Sequence, residues 1–289
     1  MQPITYLFDF ESCNDEMRPY IMNEFAKNGA KHLVLSDEFI ARMERTPGFA
    51  NTLKADMANA GLTFVDSHAP FGWWEDMDVP VESARPIMLE RLRLAMRIVA
   101  QFEVDTITIH VGNAPACFGD EYSLDHYHSC ILRSIEALLP LAEELKLVIC
   151  VENIWTPLNT AEKLLDMIHH FESPYLGICY DAGHANLMID HGYDDCNAVN
   201  AFARYGMKAP YDDKIIDKLH PHIVNCHIHD NDGQIDQHRL PGKGNVDWNH
   251  VIPLLKSAPR IRSFQSEVIP VRTGTNICEL VSTIEKLFA

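Results

Sequence analysis

Positive charge is scarce in this sequence. The chain has 24 Lys and Arg residues against 41 Asp and Glu residues, which gives a formal net charge of −17 at pH 7. A large nucleic-acid footprint needs clustered Lys and Arg side chains that displace counterions from the phosphates. The charge balance therefore argues against a nucleic-acid partner, although it leaves room for a small local basic patch.

Long apolar runs and paired cysteine motifs are also missing. No run approaches the ~20 apolar residues that a membrane-spanning helix needs, and no basic segment followed by an apolar core suggests a signal peptide. The eight cysteines include no CxxC spacing, and Cys150, Cys179 and Cys226 lie within apolar runs. Such a pattern is typical of reduced, buried thiols. We therefore expect a cytoplasmic protein without a membrane partner; the oligomeric state is not visible.

Short β-branched runs alternate with longer helical patterns along the chain. The eight predicted strands are residues 4–10, 31–35, 62–67, 106–111, 147–152, 176–181, 223–229 and 261–268. Helical patterns occupy residues 83–102, 123–145, 160–171, 248–256 and 276–287, with Thr160 and Asn276 as expected capping residues. This alternation predicts an α/β fold, a (β/α)₈ TIM barrel that forms a single domain over residues 1–289. A doubly wound open sheet is the alternative, and residues 191–219 are predicted to be a helical insertion between strands 6 and 7.

Histidine and acidic residues recur at the carboxyl ends of the predicted strands and in the loops just after them. In a barrel these ends meet on one face, where chemistry is concentrated. Singly, each residue is more often a hydrogen-bonded core residue, a helix cap or half of an ion pair. Together, without a cation, four carboxylates would repel one another and shift toward protonation. Metal ions remove that conflict, and several His ligands favour Zn²⁺ or Mn²⁺ over Mg²⁺. The nine residues are His68, His110, Glu152, Asp181, His184, His227, Asp236, His238 and Glu267.

The segments around these residues resemble the xylose-isomerase-like barrel superfamily, which includes sugar isomerases and epimerases, inosose-processing enzymes and endonuclease IV. The matching motifs are Ser67-His68-Ala69-Pro70, Ile109-His110-Val111-Gly112, Val151-Glu152-Asn153, Tyr180-Asp181-Ala182-Gly183-His184, His227-Ile228-His229-Asp230-Asn231-Asp232-Gly233, Asp236-Gln237-His238-Arg239-Leu240-Pro241-Gly242-Lys243-Gly244, and Glu267. They run from strand 3 to strand 8 and are more specific for the superfamily than for one activity within it.

The resemblance implies a divalent-metal site with one ion and room for two or three. The central ion would be held by Glu152, Asp181, His227 and Glu267. By likeness to endonuclease IV, a second ion would use His68, His110 and Glu152, and a third would use His184, Asp236 and His238. His227 is preferred to His229, because the comparable motif places its ligand three residues before the Asp, here Asp230. Whether Asp236 and His238 bind metal or substrate stays open.

The implied activity is isomerisation or epimerisation of a sugar or sugar phosphate. Glu152 and Glu267 are the candidate catalytic pair, because two carboxylates on opposite sides of a substrate can move a proton beside a carbonyl, and a metal ion stabilises the resulting enolate. The alternatives are an endonuclease IV-like zinc phosphodiesterase acting on abasic DNA, and a metal-dependent lyase or dehydratase acting on an inosose or keto-glycoside. The acidic charge and the block from Asp236 to Trp248 favour the sugar-enzyme branch.

Four residues are candidates for substrate binding. Trp73 and Trp74 follow strand 3 and could stack on a sugar; the alternative is that they pack under the insertion. His229 adjoins the strand-7 ligand. Arg239 is a candidate replacement for an Arg that ketose 3-epimerases carry shortly after the strand-7 His, where this chain has Asn231-Asp232-Gly233.

Overall fold

Eight parallel strands form the central sheet in the computed structural model, which describes residues 2–72, 74–118 and 121–289. The spatial order is β3-β2-β1-β8-β7-β6-β5-β4. The first and last strands of this order meet through a parallel bridge between His68 and Thr108. The sheet is therefore nearly closed, and the predicted TIM barrel is confirmed. The strands are β1 (Ile4–Tyr6), β2 (His32–Leu35), β3 (Thr63–Ser67), β4 (Thr106–Ile109), β5 (Val148–Glu152), β6 (Leu176–Asp181), β7 (Ile223–Ile228) and β8 (Phe264–Ser266).

Helices connect the strands and cover the outside of the barrel. Among the described residues they are α1 (Arg18–Lys27), α2 (Asp37–Arg45), α3 (Phe49–Ala60), α4 (Arg85–Gln101), α5 (Ala114–Phe118), α6 (Leu124–Leu145), α7 (Ala161–Phe171), α8 (Ala182–Leu187), α9 (Asn197–Ala203), α10 (Ile215–Leu219), α11 (Trp248–Ser257), α12 (Pro270–Thr273) and α13 (Ile277–Phe288). Short 3-10 helices lie at Phe10–Ser12 and His220–His222. No described helix has both the length and the apolar character that a membrane crossing requires.

The predicted capping residues begin two of these helices. The Thr160 side chain accepts a hydrogen bond from the backbone N–H of Lys163, and Asn276 accepts one from the N–H of Glu279. Each bond satisfies a backbone donor that the first turn of a helix leaves free. Both predicted helix starts are therefore confirmed.

β1 and β8 differ most from the predicted strands; β6 has the predicted bounds, and the other five are shorter by one or two residues. β1 ends at Tyr6 rather than at residue 10, because Phe8 and Phe10 pack against each other with ring centroids 4.9 Å apart. Phe10 also packs 4.9 Å from Phe39 of α2, outside the sheet. β8 covers only Phe264–Ser266 of the predicted 261–268. Beyond β1 the backbone N–H of Leu7 still donates to the carbonyl of Ser266 at 2.9 Å, and aromatic packing between loop and helix begins at Phe8.

The predicted insertion between β6 and β7 contains α9 and α10. Its contact with the rest of the molecule is specific: the backbone N–H of Asp236 donates to Asn197 Oδ1 at 2.7 Å, and the N–H of Asn197 donates to the carbonyl of Gln234 at 2.9 Å. The insertion therefore supports the loop after β7.

Strand alternation separates two environments. Ile149 and Val151 of β5 belong to the main apolar core, whereas Val148 and Cys150 belong to a separate small cluster. Because alternate residues of a strand face opposite sides, Val148, Cys150 and Glu152 point into the barrel. Glu152 is the last of these, so its carboxylate lies at the carboxyl end of the barrel interior.

Candidate functional site

Four side chains from four strands form the group that we call the central group: Glu152, Asp181, His227 and Glu267. Nδ1 of His227 lies 3.3 Å from Oε1 of Glu152, 3.5 Å from Oδ2 of Asp181 and 3.2 Å from Oε2 of Glu267. None of the four residues is more than 7% exposed. Three carboxylates therefore converge on one imidazole nitrogen in a nearly dry environment.

A second group shares Glu152 with the first. Nε2 of His110 lies 3.0 Å from Oε2 of Glu152, and Nε2 of His68 lies 3.8 Å from the same oxygen. The opposite ring nitrogen of His110 lies 3.2 Å from Nδ2 of Asn113, and that of His68 lies 2.8 Å from the carbonyl of Ala69. We call His68, His110 and Glu152 the His68 group.

A third group, the His184 group, consists of His184, His229, Asp236 and His238. Asp236 lies at its centre: Oδ2 is 2.7 Å from Nε2 of His238 and 3.7 Å from Nε2 of His184, and Oδ1 is 3.8 Å from Nδ1 of His229. The sequence predicted three of these residues as one ligand set. The structure adds His229, whose ring stacks on His238 with centroids 4.0 Å apart.

The remaining ring nitrogens of this group face oxygen atoms. Nδ1 of His238 lies 2.8 Å from the carbonyl of Glu267, Nε2 of His229 lies 3.0 Å from Oδ2 of Asp181, and Nδ1 of His184 lies 3.2 Å from the carbonyl of Asn153. Carbonyl and carboxylate partners of this kind orient metal-ligating histidines and fix the nitrogen that faces the ion. In each of these three histidines, one ring nitrogen faces Asp236 and the opposite ring nitrogen faces the oxygen atom named above.

Burial and charge pairing act in opposite directions on the titration of these groups. Burial alone would raise the pKa of Glu152 and of Asp181, but the surrounding imidazoles hold the pKa of both below the usual range. Burial alone would lower the pKa of His238, but its hydrogen bond to Asp236 raises that pKa to about 9. The pKa of His184 is raised above its usual range against burial, chiefly by Asp181. Without an ion, protons on the imidazoles balance the carboxylates.

The donor set fits divalent ions. Nδ1 of His229 and Oδ1 of Asp236 are buried, face each other at 3.8 Å and have no hydrogen-bond partner among the described residues. Unpartnered buried polar atoms are costly, and an ion that accepts electron pairs from both would remove that cost. Imidazole nitrogen with carboxylate oxygen suits Zn²⁺ and Mn²⁺.

A cavity of about 480 Å³ opens above the three groups. Of the central group, Glu152 and Glu267 line it, whereas Asp181 and His227 are fully buried and are not among the described lining residues. The other described residues of the lining are Leu7, Phe8, Asp9, Asp37, Glu38, His68, Phe71, His110, Asn113, Ile154, Trp155, His184, Asp236, His238, Val268, Ile269 and Arg272.

The loop after β1 and the first turn of α2 give this cavity an acidic wall, formed by Asp9, Asp37 and Glu38. Burial and a hydrogen bond to Asp9 raise the pKa of Glu38 to about 9. Burial also raises the pKa of Asp37. This direction favours a protonated Glu38 at neutral pH, with its O–H donating to Asp9.

The described residues that were predicted to bind substrate lie at separate places in the structure. Trp74 is 46% exposed, packs edge-on against Phe118 with ring centroids 4.7 Å apart, and is not among the described lining residues. His229 is fully buried behind Asp181. Neither Trp74 nor His229 is among the described residues that line the cavity, and their contact with substrate stays a prediction. Trp73 lies outside the described residues, and Arg239 lines a neighbouring cleft.

Phe71, Trp155 and Asn113 reach the cavity and were not predicted as site residues. Phe71 packs 4.4 Å from the His110 ring, and Trp155 packs edge-on at 4.7 Å from the His184 ring. Position was the available signal: Asn113 and Trp155 each stand three residues after a strand-end ligand, where the chain still borders the mouth of the barrel.

Comparison with known proteins agrees with this architecture. The sequence pattern of the xylose isomerase-like TIM barrel family matches residues 24–260, which is most of the chain. An uncharacterized protein of Methanocaldococcus jannaschii is 27% identical over 195 residues, which cover 65% of this chain and 59% of that relative. The chain thus matches less than two thirds of that relative's length.

Solved structures of low sequence identity share the fold. D-psicose 3-epimerase from Clostridium cellulolyticum H10 has a TM-score of 0.70 at 15% identity, with 98% of this chain and 90% of that chain covered. 3-Keto-D-glucoside 4-epimerase from E. coli has a TM-score of 0.69 at 16% identity, with 99% and 98% covered. Together with the match over residues 24–260, these findings identify the family: the chain belongs to the xylose isomerase-like TIM barrels.

Proposed function

We propose that this protein is a divalent-metal-dependent isomerase or epimerase that moves a proton beside the carbonyl of a sugar or sugar phosphate. One observation carries the proposal: the two carboxylates of the central group that line the cavity are Glu152 and Glu267. They come from β5 and from the end of β8, so they approach the cavity from different sides of the barrel. Asp181 and His227 are buried beneath them and complete a ligand set.

Each residue has a distinct task in this mechanism. A divalent ion held by the central group would supply Lewis-acid stabilisation of the developing enolate. Glu152 and Glu267 each offer one oxygen as a ligand and one to substrate, so one carboxylate removes the proton and the other returns it on the opposite face. His184 lines the cavity and can donate a hydrogen bond to a substrate hydroxyl. Phe71 and Trp155 supply apolar walls that limit access of water to the reacting carbon.

The names of the two epimerases that share the fold indicate a ketose and a keto-glucoside as their substrates. The cavity volume of about 480 Å³ suits a monosaccharide. We therefore place the substrate among monosaccharides or their simple derivatives. A keto-sugar is preferred, because its carbonyl acidifies the neighbouring C–H bond.

Replacement of Glu152 or Glu267 by Gln tests the proposal. Each variant keeps one ligand oxygen but loses the proton acceptor, so exchange of substrate C–H for deuterium should fall by roughly 10²–10⁴-fold. The rate is measured by NMR in D₂O with a panel of ketoses and their 6-phosphates, alongside metal content and circular dichroism. Glu136→Gln, at an exposed position of α6, is the matched control. Full exchange in both active-site variants would overturn the mechanism.

The three adjoining groups favour a second candidate, a multinuclear zinc phosphodiesterase of the endonuclease IV kind. Clustered ions can activate water and clamp a phosphate during in-line displacement. About three zinc ions per chain together with cleavage of an abasic DNA duplex would select this candidate. One manganese ion with ketose exchange would select the isomerase or epimerase. An inosose or keto-glycoside lyase uses the same enolate chemistry, and elimination products would reveal it.

A further inference from the structure

A second cleft, of about 600 Å³, adjoins the active-site cavity on the β7 and β8 side. Asp236 and Arg272 line both spaces, so the two are neighbours across these side chains. Arg239, Lys243 and Arg272 bring three cationic side chains to the cleft. We propose that this cleft is a subsite for an anionic substituent of the substrate, a phosphate or a carboxylate. The proposal rests on the proposed function and narrows its substrate class to acidic sugars.

The cations of the cleft are available to a ligand. Neither Arg272 nor Lys243 forms an ion pair with a carboxylate among the described residues, and the Arg239 guanidinium lies 3.7 Å from its nearest one, Asp232. Guanidinium groups also match phosphate and carboxylate oxygens in pairs of parallel hydrogen bonds.

The carboxylates that border the cleft do not cancel this charge. Asp236 is already paired with His238, whose Nε2 lies 2.7 Å from Oδ2. Glu279 is exposed on α13. Thr273 and Thr275 line the cleft as well, and their hydroxyls lie 2.8 Å apart. The cleft therefore combines three cations with neutral hydroxyl donors, the mixture that holds oxyanions.

The distribution of cations directs an anionic substrate toward this cleft. Asp9, Asp37 and Glu38 line the cavity on the β1 and β2 side, where no Lys or Arg is among the described lining residues. Arg272 is the one Lys or Arg among the described residues that line the cavity. An acidic sugar placed over Glu152 and Glu267 thus has one favourable direction for its charged end.

The backbone of the cleft is ordered by contacts of its own. Arg239 and Asp230 exchange backbone hydrogen bonds of 2.7 and 2.8 Å, and the N–H of Lys243 donates to the carbonyl of Leu240 at 3.0 Å. Arg272 lies on α12, which ends at Gly274 with a φ of +69°. A subsite on fixed backbone loses less entropy when a ligand binds.

Binding of three matched sugars to the metal-loaded protein tests the proposal. D-Fructose, D-fructose 6-phosphate and D-fructuronate share one carbon framework and differ in the group at C6. Calorimetry should give a Kd for an anionic sugar that is roughly tenfold or more below that of fructose, since hydrogen bonds to charged groups are worth about 1.5–3 kcal/mol. The preferred anionic sugar tells phosphate from carboxylate. In the double variant that carries Arg272→Gln and Lys243→Gln, the ratio of the Kd of fructose to the Kd of the anionic sugar should fall to near one. The control Arg97→Gln, at an exposed position of α4, should keep the ratio of the natural protein.

Equal Kd values for the three sugars, or a preference that survives in the double variant, would overturn the subsite. Tighter binding of an abasic DNA duplex than of either anionic sugar, lost in the same double variant, would also overturn it, because the cleft would then serve a polymer. Failure of the proposed function gives a different result: the preference for an anionic sugar persists, but no C–H exchange is seen with any of the three.

Discussion

Glu38 is a carboxyl group whose environment favours the protonated form. Burial and Asp9 raise its pKa from 4.5 in model compounds to about 9. A raised pKa means that the folded protein binds this proton more tightly than the unfolded chain does. The stability that Glu38 contributes is therefore complete below pH 4.5 and is lost as the pH rises through about 9.

Replacement of Glu38 by Gln should remove this loss, since the amide mimics the protonated acid and can still accept the hydrogen bond from the N–H of Glu11. We expect the urea midpoint of the natural protein to fall relative to that of Glu38→Gln between pH 7 and pH 9. Glu16→Gln, at an exposed position, serves as the control and should follow the natural protein. If the urea midpoints of all three proteins change with pH in parallel, Glu38 does not bind its proton more tightly in the folded state.

The site residues differ in how far sequence could place them. The ligand groups were predictable because strand ends converge in any barrel, so nine polar residues at such positions had to meet. Trp74 was not, because its loop turns outward and its ring rests on Phe118. His227 was preferred to His229 only by likeness to a motif, and Nδ1 of His227 is the nitrogen on which the three carboxylates converge. Contacts between loops, rather than periodicity, decide these positions.

The loop after β7 is organised around the carboxylate of Asp230. Oδ2 accepts hydrogen bonds from the N–H of Gly242 at 2.8 Å and from Nε1 of Trp248 at 3.1 Å, and Oδ1 accepts from the N–H of Val246 at 3.1 Å. Asp230 is fully buried. This one side chain therefore holds both ends of the segment that carries Asp236 and His238.

Replacement of Asp230 by Asn should loosen the whole segment. The amide nitrogen would face backbone donors, and leaving them unsatisfied should cost roughly 2–4 kcal/mol of unfolding free energy. Hydrogen exchange of residues 231–246 should accelerate more than that of the barrel strands. Asp247→Asn is the matched control, because Asn caps α11 about as well as Asp does. Equal protection of the segment in both variants would show that Asp230 does not hold it.

At the level of elements, hydrophobic pattern was sufficient for most of the barrel. The strands buried on both faces, such as β5 and β6, read as continuous apolar runs. β1 and β8 were overestimated, although single backbone hydrogen bonds continue beyond their ends, from Leu7 to Ser266 and from Glu267 to Ile228. α1 was weakly patterned: Met22 and Phe25 are buried, but an Arg, Arg18, is also buried and pairs with Asp56 at 2.7 Å. Such an ion pair across elements leaves no periodic signal.

Over the whole molecule, the three groups place four carboxylates and six histidines of separate strands and loops in one continuous region. The central group and the His68 group share Glu152, and His229 joins the His184 group to Asp181 of the central group. A substitution in one group should therefore also affect the neighbouring group. The residues of the three groups end or follow six strands, so contacts within the groups connect β3, β4, β5, β6, β7 and β8.

Removal of divalent metal should consequently lower the stability of the entire barrel. A ligand that binds only the folded state at about 1,000 times its Kd contributes about 4 kcal/mol, which corresponds to a Tm shift of roughly 5–10 °C for a chain of this size.

Metal uptake must also displace protons from His184, His227 and His238, whose pKa values are raised in the ion-free protein. Apparent affinity should thus increase with pH, including through about 9, where His238 titrates. Calorimetric scans of chelator-treated protein with and without added Zn²⁺ or Mn²⁺, at several pH values, measure both effects. His169→Gln with His170→Gln, on the outer helix α7, controls for adventitious binding by surface histidines. A Tm that is unchanged by metal would contradict the role of these groups as ligands. An affinity that is constant over the same pH range would show that protons do not occupy the imidazoles that the ion requires.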